Sequence, residues 1–95
     1  MRFRKGQILT MIAQGNKTIH IHYYALLREE RGLKEETIQT TAQTPLELYT
    51  KLREQYKLSL SPNILRIALN DVFQSWDTPL RDQDSIVFMP PVAGG

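Results

Sequence analysis

No cysteine occurs anywhere in the chain. That excludes disulfides, thiolate catalysis and most structural zinc sites, and it is compatible with a reducing compartment, so a cytoplasmic location is expected. Long apolar runs are also missing. Ile8-Leu9-Thr10-Met11-Ile12-Ala13 follows a few basic residues, but it is too short for the apolar core of a secretory signal and has no small-residue cleavage site in the right place. Nor can it span a membrane, which takes about 20 apolar residues. There is no phosphate-binding glycine loop, no complete catalytic constellation, no internal repeat and no low-complexity stretch, so the chain is not expected to be an enzyme by itself.

Excess charge is scarce once its distribution is considered. The formal net charge is +2 over 95 residues. Arg2, Arg4, Lys5 and Lys17 stand in the first 17 residues without an acid, which leaves 8 basic against 10 acidic residues in 18–95, a net −2. A basic patch for nucleic acid is therefore not supported where the fold would lie. The apolar fraction of 41% and charged fraction of 23% suit an ordinary globular chain, and the length allows one small domain with a modest core. Residues 1–17 are expected to be a loosely held extension, with Gly15-Asn16 and Lys17 as a turn-like break and Met11 as an alternative start. Residues 18–89 form the domain and 90–95 a tail.

From Thr18 the pattern becomes regular. Ile19, Ile21 and Tyr23 alternate with His20, His22 and Tyr24, the period of a half-buried strand. Leu26 to Arg31 predicts one or two helical turns stopped by Gly32, and Glu35–Thr41 a second strand pairing with the first. Thr44-Pro45-Leu46-Glu47 is a strong helix start: Thr44 can cap, Pro45 suits the first helical position and Glu47 can bond back. Leu48, Leu52 and Tyr56, with Tyr49 beside them, give that helix one apolar face. Ile64–Leu69 is expected to be a buried strand, Asn70-Asp71 a turn into Val72–Trp76, and Asp77–Asp84 a polar loop. Ile86–Met89 is the last strand. Strand, strand, helix and two or three further strands make an α+β roll, a small sheet with one long helix across one face and the first and last strands as its central pair. Tyr23, Tyr49, Trp76 and Phe88 are expected in the core or at its edge.

The chain ends Pro90-Pro91-Val92-Ala93-Gly94-Gly95. Two glycines without Cβ atoms let backbone lie in a channel too narrow for side chains and leave the Gly95 carboxylate unshielded. Two prolines fix φ and favour extended geometry, so the tail should leave as a stiff stalk. The alternative is an ordinary frayed terminus.

The element order with terminal Gly-Gly resembles the ubiquitin-like β-grasp family. Val87-Phe88-Met89-Pro90-Pro91-Val92-Ala93-Gly94-Gly95 is similar to the C-terminal signature of one branch, the molybdopterin synthase small subunits. Tyr23-Tyr24-Ala25-Leu26-Leu27-Arg28-Glu29, Ala68-Leu69-Asn70 and the loop Asp77-x-Pro79-Leu80-x-Asp82-x-Asp84 resemble further segments of that branch. The family starts at the first strand, so residues 1–16 are extra, and it often carries glycine where Gln83 lies.

The resemblance implies a sulfur carrier. A ubiquitin-activating-like enzyme would consume ATP to adenylate Gly95, and a persulfide donor would convert it to a thiocarboxylate. The large synthase subunit would then receive the tail for sulfur transfer to cyclic pyranopterin monophosphate, in a heterotetramer. No bound cofactor, nucleic acid or membrane is implied. Gly94 would let the backbone thread, and Pro90, Pro91, Val92 and Ala93 would set the reach. Tyr24, Phe73 and Met89 are implied as an apolar docking patch, with Arg28 as a further partner contact; the alternative is core or scattered surface hydrophobes. Two other readings share the tail: a sulfur carrier of thiamine type, and a ubiquitin-like modifier joined to lysines. His20 and His22 share a strand face, but without a third ligand an exposed polar face is expected there and no metal. Asp82 and Asp84 are expected to serve the turn, and Arg28-Glu29-Glu30-Arg31 to form a solvated face.

Overall fold

The computed structural model describes residues 16–91. Its elements are β1 (Lys17–Tyr23), α1 (Ala25–Arg31), β2 (Glu35–Thr40), α2 (Pro45–Tyr56), a 3-10 turn (Pro62–Ile64), β3 (Arg66–Leu69), β4 (Val72–Gln74) and β5 (Ser85–Met89). Lys17, expected in the extension, opens β1 opposite Thr40. Its Nζ donates to the Ala42 carbonyl at 3.2 Å, so the first residue of the strand is held by main chain and side chain together.

Five strands form one sheet in the order β2-β1-β5-β3-β4. β1 and β5 are adjacent and parallel, with Ile21 opposite Ile86 and Tyr23 opposite Phe88. The other pairs are antiparallel. This is the mixed sheet with central first and last strands that the apolar pattern predicts. The alternation of β1 places Ile19, Ile21 and Tyr23 on the inner face, all buried, while His20 and His22 lie half-buried on the other side.

The long helix α2 covers the inner face. Thr44 Oγ1 accepts from Glu47 N–H at 3.2 Å and Pro45 occupies the first turn. The expected return bond from Glu47 is replaced by a loose 3.9 Å approach of its carboxylate to Lys51 Nζ. Leu48, Tyr49 and Leu52 are buried and Tyr56 is half-buried, as the spacing predicts. Tyr49 meets Phe88 with ring centroids 5.1 Å apart, and Trp76 stacks on Phe88 at 6.1 Å. Burying each large side chain of this core is worth about 1.5–3 kcal/mol.

Three turns explain how short segments close this sheet. Gly32 ends α1 at φ 83, its N–H donating to the Arg28 carbonyl at 2.9 Å. An added Cβ would meet nothing within 4 Å, so the glycine answers to backbone conformation rather than to space. Asn70 and Asp71 both have positive φ, 50 and 71, as a two-residue hairpin of type I′ demands. Gln83 also has φ 71, a left-handed position that gives a physical reason for glycine at this place in similar sequences.

Two expectations need correction. Ile64 is not in a buried strand: Pro62–Ile64 form a 3-10 turn, Ile64 is exposed, and β3 begins only at Arg66. Pro62, with Ser61 Oγ accepting from Asn63 N–H, favours the tight turn over an extended start. Nor is Arg28–Arg31 uniformly solvated, because Glu30 and Arg31 are half-buried. Among the described residues no helix is long and apolar enough to cross a membrane.

A candidate docking face at the root of the tail

β5 carries the chain from the middle of the sheet towards the C-terminus. Its ladder ends at Met89, opposite Arg66 of β3. Pro90 is half-buried and Pro91 exposed. Neither has an N–H, so β5 cannot be extended and the chain must leave the sheet there. The stalk is thus rooted in a strand at the middle of the sheet, whose Phe88 is wholly inaccessible. Val92, Ala93, Gly94 and Gly95 lie outside the described residues, as do residues 1–15.

The outer face beside this exit is apolar and open. Phe88 and Ile86 point inward, so Val87 and Met89 belong to the outer face, both half-buried. Phe73 of β4 pairs with Ala68 of β3, which pairs with Val87. Phe73 is 59% exposed, which an isolated sheet would not favour for an aromatic of this size. The register therefore gathers Met89 and Phe73, two of the four residues expected to touch a partner. Tyr24 follows Tyr23, the partner of Phe88, so it comes level with Met89, and it is 51% exposed. Its neighbour Ala25 takes φ 53, a left-handed conformation that costs an alanine about 1 kcal/mol and turns the strand sharply into α1. Arg28 is exposed on α1, and among the described residues its side chain makes no hydrogen bond or ion pair that would draw it into the cluster.

One residue at this face is not marked by the sequence reading. Arg66, expected within a buried strand, is exposed, and its guanidinium carbon lies 4.5 Å from the centre of the Phe73 ring. The alternation Leu65-Arg66-Ile67-Ala68-Leu69 contains the signal, because Ile67 inward sets Arg66 outward.

Behind the face, a polar cluster locks α1 to β2 and α2. Tyr23 Oη donates to Glu36 Oε2 at 2.6 Å. Arg31 forks onto both oxygens of Glu36, Nε at 2.9 Å and Nη2 at 2.7 Å, and stacks over Tyr56 at 3.6 Å. Burial, then the bond to Glu36, pushes the Tyr23 phenol well above its ordinary value. Burial alone would raise Glu36, but the hydrogen bonds from Arg31 and Tyr23 together outweigh it and hold the carboxyl below its usual range. This charge cluster is internally complete.

At the other end of the sheet Asp84 serves its turn, as expected, whereas Asp82 ties the loop to the start of β1. Asp82 Oδ1 accepts from Thr18 N–H at 2.7 Å. Asp84 accepts from Asn70 Nδ2 at 2.9 Å and from Arg81 N–H at 2.8 Å, while Asn70 Oδ1 receives Ser85 N–H at 2.9 Å. His20 spans Thr37 Oγ1 at 2.9 Å and Gln83 Oε1 at 3.2 Å. Among the described residues no group of three potential metal ligands is found.

The chain is similar to known proteins in sequence and fold. Residues 21–95 match the ThiS family. The molybdopterin synthase sulfur carrier subunit of Escherichia coli (strain K12) is 40% identical over 42 residues, 44% of this chain and 52% of that protein, so the chain matches about half the length of that relative. A structure of subunits 1 and 2 of the molybdopterin-converting factor of Helicobacter pylori 26695 in complex is 29% identical at a TM-score of 0.58, over 82% of this chain and 99% of that one. The small archaeal modifier protein 1 of Methanosarcina acetivorans matches 84% of this chain and 98% of its own, at a TM-score of 0.67 and 22% identity, a likeness of fold. With its mixed sheet, single long helix and family match over 21–95, the chain has the ubiquitin-like β-grasp fold and belongs to the ThiS family.

Proposed function

We propose that this chain is a sulfur carrier of molybdopterin synthesis, with Gly95 as the terminus that carries the sulfur. The observation behind this reading is the central strand β5, which runs from the core into Pro90-Pro91 beside an open apolar face. A rigid root and a stiff stalk suit delivery of a small group into another protein. The likeness to the E. coli sulfur carrier and to the H. pylori complex supports the choice of pathway.

The chemistry starts from a weak electrophile. A carboxylate resists attack because an oxide-like group would have to leave. An adenylating enzyme of the ubiquitin-activating type joins Gly95 to AMP from ATP and releases pyrophosphate, giving a mixed anhydride with a good leaving group. The terminal sulfur of a donor persulfide then attacks the acyl carbon and AMP departs. Thiol cleavage of the resulting acyl disulfide leaves the thiocarboxylate. The tail next enters the large synthase subunit, where the thiocarboxylate sulfur bonds to cyclic pyranopterin monophosphate. Water then cleaves the acyl–sulfur bond, leaving the sulfur on the pterin and restoring the Gly95 carboxylate. Tyr24, Phe73 and Met89, with Arg28, make the docking contacts, while Gly94 and Ala93 offer no bulk to a channel. The chain contributes the acyl group and its presentation; its partners contribute the catalysis.

Intact-mass analysis tests this directly. The chain is incubated with ATP, the adenylating enzyme and a persulfide donor from the same organism. Sulfur replacing oxygen at Gly95, followed by its loss when the large subunit and pyranopterin are added, is the expected result. An unchanged mass with active partners would overturn the reading. Sulfur delivered only to a thiazole-forming system would point to the thiamine type, and an isopeptide bond to lysine to a protein modifier.

A further inference from the structure

We infer that Arg66 is a specificity determinant of the docking face, and that the large synthase subunit, on receiving the tail, presents a carboxylate to it. The inference rests on the functional reading above and adds the chemistry of the partner surface. Met89 lies directly opposite Arg66 and Phe73 beneath its guanidinium, 4.5 Å away. The outer-face strand positions around them are Val87, Met89, Ala68 and Phe73, so among the described residues Arg66 is the one formal charge on this face of β3, β4 and β5. Among those residues it makes no ion pair; the two that form are Arg31–Glu36 and Lys51–Glu47. Glu35, the outer-face carboxylate of the strands, stands on the far edge strand β2, three inter-strand steps or about 14 Å away.

Covering this corner has a consequence for its charge. A partner that seats on Met89 and Phe73 must also cover the arginine stacked between them. Removing a guanidinium from water without an anion costs more than an apolar contact of this size returns. The stacking holds the charge in place over the ring but does not neutralise it. A partner carboxylate does, and a planar guanidinium can bond it through two N–H groups. Polyanionic nucleic acid does not fit, because one cation on this face of a domain of net −2 makes no phosphate track.

The test measures binding of the full chain to the molybdopterin synthase large subunit and to the adenylating enzyme of the same organism, at low and high salt. Wild type, Arg66→Lys, Arg66→Leu and Arg66→Glu are compared, with thermal melts as folding controls for this exposed site. Arg66→Leu is expected to bind the large subunit about thirtyfold more weakly, with a flattened salt dependence; a loss confined to the adenylating enzyme would overturn the inference for the large subunit. Arg66→Glu should be weaker still, and Arg66→Lys intermediate. If Arg66→Leu binds the large subunit as tightly as wild type with the same salt dependence, the cation stays solvated at the rim and the inference is overturned while the carrier reading stands. Failure of wild type to bind either protein would overturn both.

Discussion

Two arginines, both stacked on aromatic rings, divide this small domain into a finished half and an unfinished one. Arg31 lies 3.6 Å over Tyr56 with Glu36 at 2.7 Å, and its side chain is 17% exposed. Arg66 lies 4.5 Å over Phe73, exposed, with no carboxylate paired to it among the described residues. The same chemical pair is thus used once with its counter-charge supplied from within and once without. The first arrangement ties elements together. The second, beside the tail root, is what a surface looks like when its complement belongs to another molecule.

On the unfinished side the largest effect is expected at the tail. Gly94→Val puts a branched side chain where a narrow channel is proposed, and thiocarboxylate yield by intact mass should fall to background with the melting temperature unchanged. Wild-type yield from this variant would remove the proposed channel. On the finished side, Glu36→Ala strands Arg31 and the Tyr23 hydroxyl, and because the cluster is not wholly enclosed the expected loss is about 1–3 kcal/mol, read by urea denaturation. Partner binding should change little, the reverse of the Arg66 variants.

Stability against pH probes the finished half through two groups of its cluster. Glu36 is held below its ordinary value of 4.5, so its stabilisation is present above that pH and fades as pH falls through the lower folded value. Tyr23 is pushed above its ordinary value of 10.0, so the neutral phenol favours the fold below pH 10 and that contribution is lost as pH rises beyond it. Denaturation midpoints should therefore form a plateau that declines at both ends. Glu36→Gln should blunt the acid decline; an identical acid limb in that variant would assign the decline to other carboxylates. The smallest effect is expected at Gln83, whose φ of 71 favours glycine. Gln83→Gly should stabilise by up to about 1 kcal/mol, less whatever the bond to His20 contributes. A melting temperature below that of wild type would show that the bond to His20 outweighs the relief of backbone strain.

Much of the scaffold is legible in the sequence because its signals are local. The alternation of Ile19, Ile21 and Tyr23 needs only the two-residue period of a strand, and the start of α2 needs only Thr44 and Pro45 in order. Gly32 stops α1 for a reason contained in one residue. Local pattern fails at Ile64, where an apolar residue beside an apolar strand reads as part of it and hides the tight turn after Pro62. It fails too for Arg31, since nothing in Arg28-Glu29-Glu30-Arg31 distinguishes the arginine that will meet Glu36. Of the expected site, Tyr24, Phe73, Met89 and Arg28 fall on the described surface, whereas Arg66 is hidden by any reading that buries its strand on both faces.

The sequence alone determined the periodicities, the caps and the lack of cysteine, since each depends on neighbours within one element or on composition. Tertiary structure decided which charges are paired. Arg31 finds Glu36 through the β1–β2 pairing and the seating of α1. Asn70 reaches Asp84 across 14 residues, and Arg66 comes to lie between Met89 and Phe73. Those contacts follow from strand order and register, and a side chain three strands away in space leaves no mark on the residues beside it in the chain.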